Sequence, residues 1–160
     1  MADEDSVTIV VFSGELDRAL ASFNIANTAA SMGMKVNMFF TFWGLAVVSK
    51  GSLEKGKKSL PQWMMGMMRR GGAGHLRLSQ MDMFGGGRAM MKSLMKKYRM
   101  PPLEDSISLA KEQGVRFLAC TTSMALMGLE ESDFIDEVDE FVGAATYLGL
   151  ASGGNVNLFI

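Results

Sequence analysis

Residues 7–14, Val7-Thr8-Ile9-Val10-Val11-Phe12-Ser13-Gly14, begin the regular structure of the chain and decide its fold class. Five β-branched residues and a phenylalanine run without a charge, as expected of a strand covered on both faces of a sheet. Ser13-Gly14 turns the chain. Glu15 to Met32 then reads as a helix, because Leu16, Ala19, Leu20, Phe23, Ala26, Asn27 and Ala30 recur at helical spacing. Glu15 and Asp17 put carboxylates at the positive end of its dipole. Gly33 stops the helix, and Lys35 to Phe42 predicts a second strand. Strand, helix and strand at this spacing predict a right-handed parallel crossover.

The same alternation resumes after Pro101-Pro102. Leu103 to Gln113 predicts a helix ended by Gly114, and Val115 to Cys120 a third strand. Ser123 to Gly128 reads as a short helix closed by glycine, Val138 to Val142 as a fourth strand, Ala144 to Ala151 as a helix, and Asn155 to Ile160 as the last strand. Five strands interleaved with helices define the α/β class: a three-layer α/β/α sandwich with a mostly parallel five-stranded sheet. The strand order stays open. At 160 residues, one domain spanning 1–160 is the expectation.

The scarce residues exclude whole chemistries. One cysteine cannot make a disulfide, a CxxC redox pair, a cysteine zinc site or an iron–sulfur cluster within the chain. One histidine, His75, leaves no HExxH, and its place between Gly74 and Leu76 in a glycine-rich stretch predicts a solvent-facing loop residue rather than a base. No metal or organic cofactor is implied. The acidic opening Met1-Ala2-Asp3-Glu4-Asp5 is unlike a secretory leader, and the apolar run Val36 to Val48 is shorter than the ~20 residues that span a bilayer. With a free thiol, these features predict a cytoplasmic protein.

The net charge of -1 conceals two opposed regions. Between Lys50 and Met100 stand 12 Lys/Arg against Glu54 and Asp82, a local charge of +10; the rest of the chain, with 4 basic and 15 acidic residues, carries -11. Ten of the 16 methionines also fall there. So sharp a shift in composition predicts that residues 51–100 form a basic, Met- and Gly-rich helical insertion in a simpler scaffold.

Parallel α/β sheets bind ligands beyond the carboxyl ends of their strands. Three loops lie there: Ser13-Gly14, Thr41 to Gly44, and Cys120 to Ser123. A thiol works as a nucleophile only when ionised, and a helix start with free N–H groups favours the thiolate. Thr121, Thr122 and Ser123 could cap that helix or donate to the sulfur anion. A buried Cys serving as a small hydrophobe is the competing reading. Spacing alone leaves both open; the position in the loop favours the first.

The run Phe117-Leu118-Ala119-Cys120-Thr121-Thr122-Ser123-Met124-Ala125-Leu126-Met127-Gly128 resembles the cysteine segment of the DsrE/DsrF-like family, C-x-x-S-M-x-x-M-G. The turn Gly143-Ala144-Ala145-Thr146-Tyr147-Leu148, the closing Asn157-Leu158-Phe159-Ile160 and the opening 7–14 resemble other parts of the same family, as does the Met- and Gly-rich middle of its peroxiredoxin- or sulfurtransferase-labelled subgroup. The resemblance implies an α/β sandwich that forms homo-trimers or hexamers and relays sulfane sulfur between donor and acceptor proteins. It puts Cys120 at the persulfide-bearing position. The motif departs at Ala125, where relatives are expected to carry Asp, so no acid–base group is implied there. No resolving cysteine accompanies a peroxiredoxin reading. The candidate site is therefore catalytic Cys120, with Ser13, Gly14, Trp43, Thr121, Thr122, Ser123 and Met124 as substrate-contacting residues; for Trp43, packing in the core is the favoured alternative.

Two amphipathic segments occupy the insertion. Leu60, Trp63, Met64, Met67 and Met68 share one face after the capping candidate Ser59, with Pro61 in the opening turn; Met90, Met91, Leu94, Met95 and Tyr98 share another, opposite Arg88, Lys92, Lys96 and Arg99. Gly71-Gly72-Ala73-Gly74 and Gly85-Gly86-Gly87 flank the joints. Packing on the sandwich or across a subunit interface is the leading expectation. An adaptable docking surface for a partner protein comes next, and peripheral contact of residues 60–100 with an anionic membrane third. No base-stacking or groove-reading motif accompanies the charge, so nucleic acid is not the expected partner. Neither glycine run has the pattern of a phosphate loop. A non-catalytic assembly module, with Cys120 merely buried, is the alternative to the sulfur carrier.

Overall fold

The computed structural model describes residues 5–51, 61 and 71–160. The predicted helix around Leu60–Met68 lies outside them, Pro61 apart. Strand β1 (Ser6–Val11) leads into helix α1 (Leu16–Ser31) and strand β2 (Lys35–Phe40). Helix α2 (Gly86–Lys97) and helix α3 (Leu103–Glu112) precede strand β3 (Arg116–Cys120), helix α4 (Thr121–Met127), strand β4 (Glu140–Val142), helix α5 (Ala144–Ser152) and strand β5 (Val156–Phe159). The sheet order is β4-β3-β2-β1-β5, and every pairing is parallel. The molecule is a three-layer α/β/α sandwich, with a Met-rich helical region contributed by the segment around α2.

Alternation along the strands sorts the two faces. Val7, Ile9 and Val11 of β1, Val36, Met38 and Phe40 of β2, and Phe117 and Ala119 of β3 join Ala19, Phe23 and Ala26 of α1 and Ile107 and Ala110 of α3 in the main core. Phe23 stacks near Phe40 and meets Phe117 edge-on, with centroids 6.3 and 5.7 Å apart. Each such buried ring contributes roughly 2–3 kcal/mol. The opposite face carries Val10, Phe39, Leu118 and Cys120, packed by Val142, Tyr147 and Leu150. Phe39 stacks on Tyr147 of α5 at 4.9 Å. Buried Thr8 bonds Asn157 across the β1–β5 pair on this face. The cover here is thin. No residue of α5 is fully buried, although none of its nine residues is charged. Leu148 is 61% exposed and Phe159 of β5 71%.

The second strand ends sooner than its sequence predicts. Lys35 to Phe42 reads as one strand, but the ladder stops at Phe40 and residues 42–46 coil into a 3-10 turn. The cause is a contact with the first loop: the Gly44 N–H bonds the Phe12 carbonyl at 2.8 Å, and the chain reaches it through a positive φ of 48° at Phe42. No local signal marks Phe42 for that conformation. The fourth strand is likewise confined to Glu140–Val142, and the short helix after β3 starts at Thr121 rather than Ser123.

Residues 76–82 are tied to the start of α1. The Arg77 carbonyl accepts from Leu16 N–H at 2.7 Å, and Asp17 accepts from Ser79 N–H at 3.0 Å and from the Ser79 hydroxyl. Burial pushes the Asp17 carboxyl up, but the Ser79 hydroxyl and N–H and the first-turn N–H groups of α1 outweigh it and hold the group below its ordinary 3.8. The stabilisation is thus complete above the ordinary value and is lost as pH falls through the lowered one. Asp17→Ala is expected to cost about 1 kcal/mol at neutral pH. Denaturant titrations of both proteins, repeated in acid, should find that difference shrinking towards zero.

Candidate functional site

Cys120 is the last residue of β3 and lies on the thinly covered face, beside Val142. Its backbone is still extended, with φ -74° and ψ 111°, and α4 begins at the next residue. The abrupt change from strand to helix turns the first N–H groups of α4 back toward the sulfur. Gly128, at φ 64°, ends α4 as the sequence predicts, with Leu129 N–H bonding the Met124 carbonyl at 2.9 Å.

Cys120 itself, rather than a hydroxyl residue, occupies the capping position of α4. Thr121 and Thr122 are exposed, and Ser123 is buried. Burial works against ionisation of the thiol. Against it act the Ser123 N–H and hydroxyl, the Thr41 hydroxyl and the Thr122 N–H, which favour the thiolate and together hold the thiol below its ordinary 9.0. The Thr41 and Ser123 hydroxyls are 2.8 Å apart in a buried hydrogen bond, so one gives its proton to the other and the second keeps its own for the sulfur. Geometry and charge agree: the helix start and the buried hydroxyl pair favour an anion at this sulfur.

Thr41 is not among the residues that the sequence marks as candidates. It stands one residue past β2, in a stretch that reads as continuous strand, and only the neighbouring position of β2 and β3 in the sheet brings it to Cys120. Its sole hint in the sequence is membership of the loop at 41–44. Replacing it by Val removes the hydroxyl at nearly constant shape. The pH midpoint of thiol alkylation is expected to move up in Thr41→Val, with the neutral-pH rate falling several-fold. Iodoacetamide kinetics across pH measure both; an unshifted midpoint would remove Thr41 from the site.

The remaining predicted residues divide. Met124 turns into the main core with Met127. Ser13, Gly14 and Trp43 meet in a cleft of about 730 Å³ at the carboxyl end of β1, with Phe12, Glu15, Arg18, Arg77 and Phe84 also in its walls. Cys120 is not among the residues lining that cleft. The 41–44 loop borders both places, offering Thr41 to the sulfur and Trp43 to the cleft. Close approach of the two loops needs glycine at both contacts: a Cβ on Gly14 would stand 2.5 Å from the Trp43 carbonyl oxygen, and one on Gly44 1.9 Å from that of Val11. Exposed His75 hydrogen-bonds through its backbone carbonyl to Arg88 and takes no part in either place.

The chain is thus a parallel α/β/α sandwich whose single cysteine stands at the carboxyl edge of the sheet, at the start of a helix. Residues 3–159 match the DsrE/DsrF/DrsH-like family, and the chain belongs to it. It is 33% identical over 159 residues to the sulfur carrier protein DsrE2 of Allochromatium vinosum, covering 99% of both chains. It is 44% identical over 153 residues to the uncharacterized protein YrkE of Bacillus subtilis, covering 96% of this chain and 95% of that one. Two solved structures share the fold at a TM-score of 0.56: MTH1491 from Methanobacterium thermoautotrophicum, 14% identical, and the ychN protein from E. coli, 9% identical, each spanning 98% of this chain and 99% of its own. Among the described residues no helix is long and apolar enough to cross a membrane.

Proposed function

We propose that this protein is a sulfur carrier that holds sulfane sulfur on Cys120 and passes it between partner thiols. The observation carrying the reading is the placement of Cys120 at the start of α4, where the Ser123 and Thr122 N–H groups and the buried Thr41–Ser123 hydroxyl pair favour the thiolate. The 33% identity with a sulfur carrier protein supports it. In the first step the Cys120 thiolate attacks the terminal sulfur of a donor persulfide. The donor's S–S bond breaks, a new one forms on Cys120, and the donor leaves as thiolate. An acceptor thiolate then attacks the terminal sulfur of Cys120–S–SH, and Cys120 leaves as thiolate. Neither step changes the overall oxidation level, and neither calls for a metal or organic cofactor.

The partners would be donor and acceptor proteins in a reducing cytoplasm, where the free thiol of Cys120 survives. A homo-trimer or hexamer would cover the apolar α5 and Phe159 left open on the cysteine's face. The insertion at 51–100 would be part of the same 1–160 domain. A second reading, an assembly module with an inert cysteine, draws on one observation: Cys120 is only 5% exposed. Mass spectrometry separates the two. Incubation with a low-molecular-weight persulfide is expected to add the mass of one sulfur, removable by dithiothreitol and blocked by prior alkylation of Cys120. A thiol that neither gains sulfur nor alkylates until the protein is denatured would establish the assembly module instead.

A further inference from the structure

The exposed apolar residues around α2 play no part in the thiol site. Met83, at 75%, and Phe84, wholly exposed, stand out from a turn in which Met81, Met83 and Phe84 all adopt positive φ, at 59°, 37° and 58°. Non-glycine residues rarely take that conformation, and three in four positions store strain that surrounding structure must hold. The clamp is Asp82. Its carboxylate pairs with Arg77 at 3.3 Å and Arg88 at 3.0 Å and accepts from Leu78 N–H at 3.4 Å; its carbonyl accepts from Gly85 N–H at 2.7 Å and Gly87 N–H at 3.2 Å. The turn sits so close on α2 that a Cβ at Gly87 would lie 1.8 Å from the Met81 carbonyl oxygen. The fold thus fixes a turn whose effect is to hold Met and Phe side chains outward.

Helix α2 continues the surface. Its inner side buries Gly87 and Met95, while Met90, Leu94 and Tyr98, spaced i, i+4 and i+8, remain exposed. From Arg77 to Met100 the chain has six basic residues and one acid, Asp82, which the clamp occupies. Lys96, Lys97 and Arg99 have no carboxylate partner among the described residues. Exposed apolar side chains beside uncompensated cations are the two halves of an interfacial membrane anchor.

We propose that the Met81–Phe84 turn and α2 dock on an anionic lipid surface, Met83 and Phe84 entering the acyl boundary while Lys96, Lys97 and Arg99 face the headgroups. Charge complementarity selects the occupant: a neutral bilayer offers nothing to the cations. The site is independent of the thiol chemistry and stands or falls apart from it. Vesicles of phosphatidylcholine with phosphatidylglycerol should sediment the full chain at low salt, and pure phosphatidylcholine vesicles should not. Raising the salt to about 0.5 M should release it. Phe84→Asp should reduce binding about tenfold, and the pair Lys96→Glu and Lys97→Glu should abolish it. Circular dichroism should find both variants folded, since the substituted side chains are exposed. Sedimentation equal on both lipids, no sedimentation at all, or undiminished binding by the two variants would each overturn the proposal.

Discussion

Cys120→Ser will abolish sulfur uptake and leave the protein folded. Serine keeps the shape of cysteine to within one atom's radius, and its hydroxyl can itself hydrogen-bond, so the buried Thr41–Ser123 pair keeps a polar neighbour. What disappears is the nucleophile, because a serine hydroxyl has no thiolate to offer at any ordinary pH. Loss of the sulfur-mass adduct should be complete, while the unfolding midpoint moves little at neutral pH. The two proteins should then separate as pH rises. A thiol held below 9.0 in the folded state contributes stability that is full above the unfolded value and is lost as pH falls through the folded one. Wild type should therefore gain on Cys120→Ser in mildly alkaline urea titrations. An adduct that persists in the serine variant would assign the chemistry elsewhere.

Gly44→Ala will be among the most damaging single-methyl additions in the chain. The new Cβ would stand 1.9 Å from the Val11 carbonyl oxygen and 2.7 Å from its carbon, both main-chain atoms of the interior strand β1. A flexible side chain could swing aside; a strand hydrogen-bonded to β2 and β5 does not. Overpacking of this kind costs about 3 kcal/mol. The 41–46 turn should yield instead, pulling Thr41 from Ser123 and the sulfur. The thiol's alkylation midpoint should then rise in the same variant that loses stability. Gly143→Ala provides the control: nothing lies within 4 Å of its Cβ position, and its φ of -89° suits any residue. Denaturant midpoints should drop sharply for the first and hardly move for the second.

Much of this architecture is legible in single segments. The β-branched run at 7–12, the apolar spacing of 16–30 and the glycine stops at 33, 114 and 128 are local signals, and the elements they predict form within a residue or two. Gly33, Gly114 and Gly128 all take positive φ, the conformation a helix end requires there. The thiol was legible because one cysteine stood at a strand end followed by hydroxyl residues. Thr41 was not. Nor was the Asp82 clamp, whose partners Arg77 and Arg88 flank it without a recognised motif. The Met-rich face of α2 illustrates a divided outcome: Met95 packs inward as its spacing predicts, yet Met90 and Leu94 on the same apolar face stay in water. Periodicity tells which residues share a side of a helix, not how much of that side the rest of the protein covers.

By itself the sequence determined the α/β class, the location of the single thiol at a strand end and the contrast between acidic flanks and a basic, Met-rich middle, because each depends on residue type and spacing along one stretch of chain. Tertiary structure alone decided that β5 closes beside β1 and that Thr41 and Ser123 meet at the sulfur. It also decided that Trp43 turns to a separate cleft and that Phe84 is held in the open. Those outcomes are set by contacts between segments tens of residues apart, where two backbones approach as closely as Gly44 and Val11 allow, and no local pattern encodes which partner a strand or loop will find.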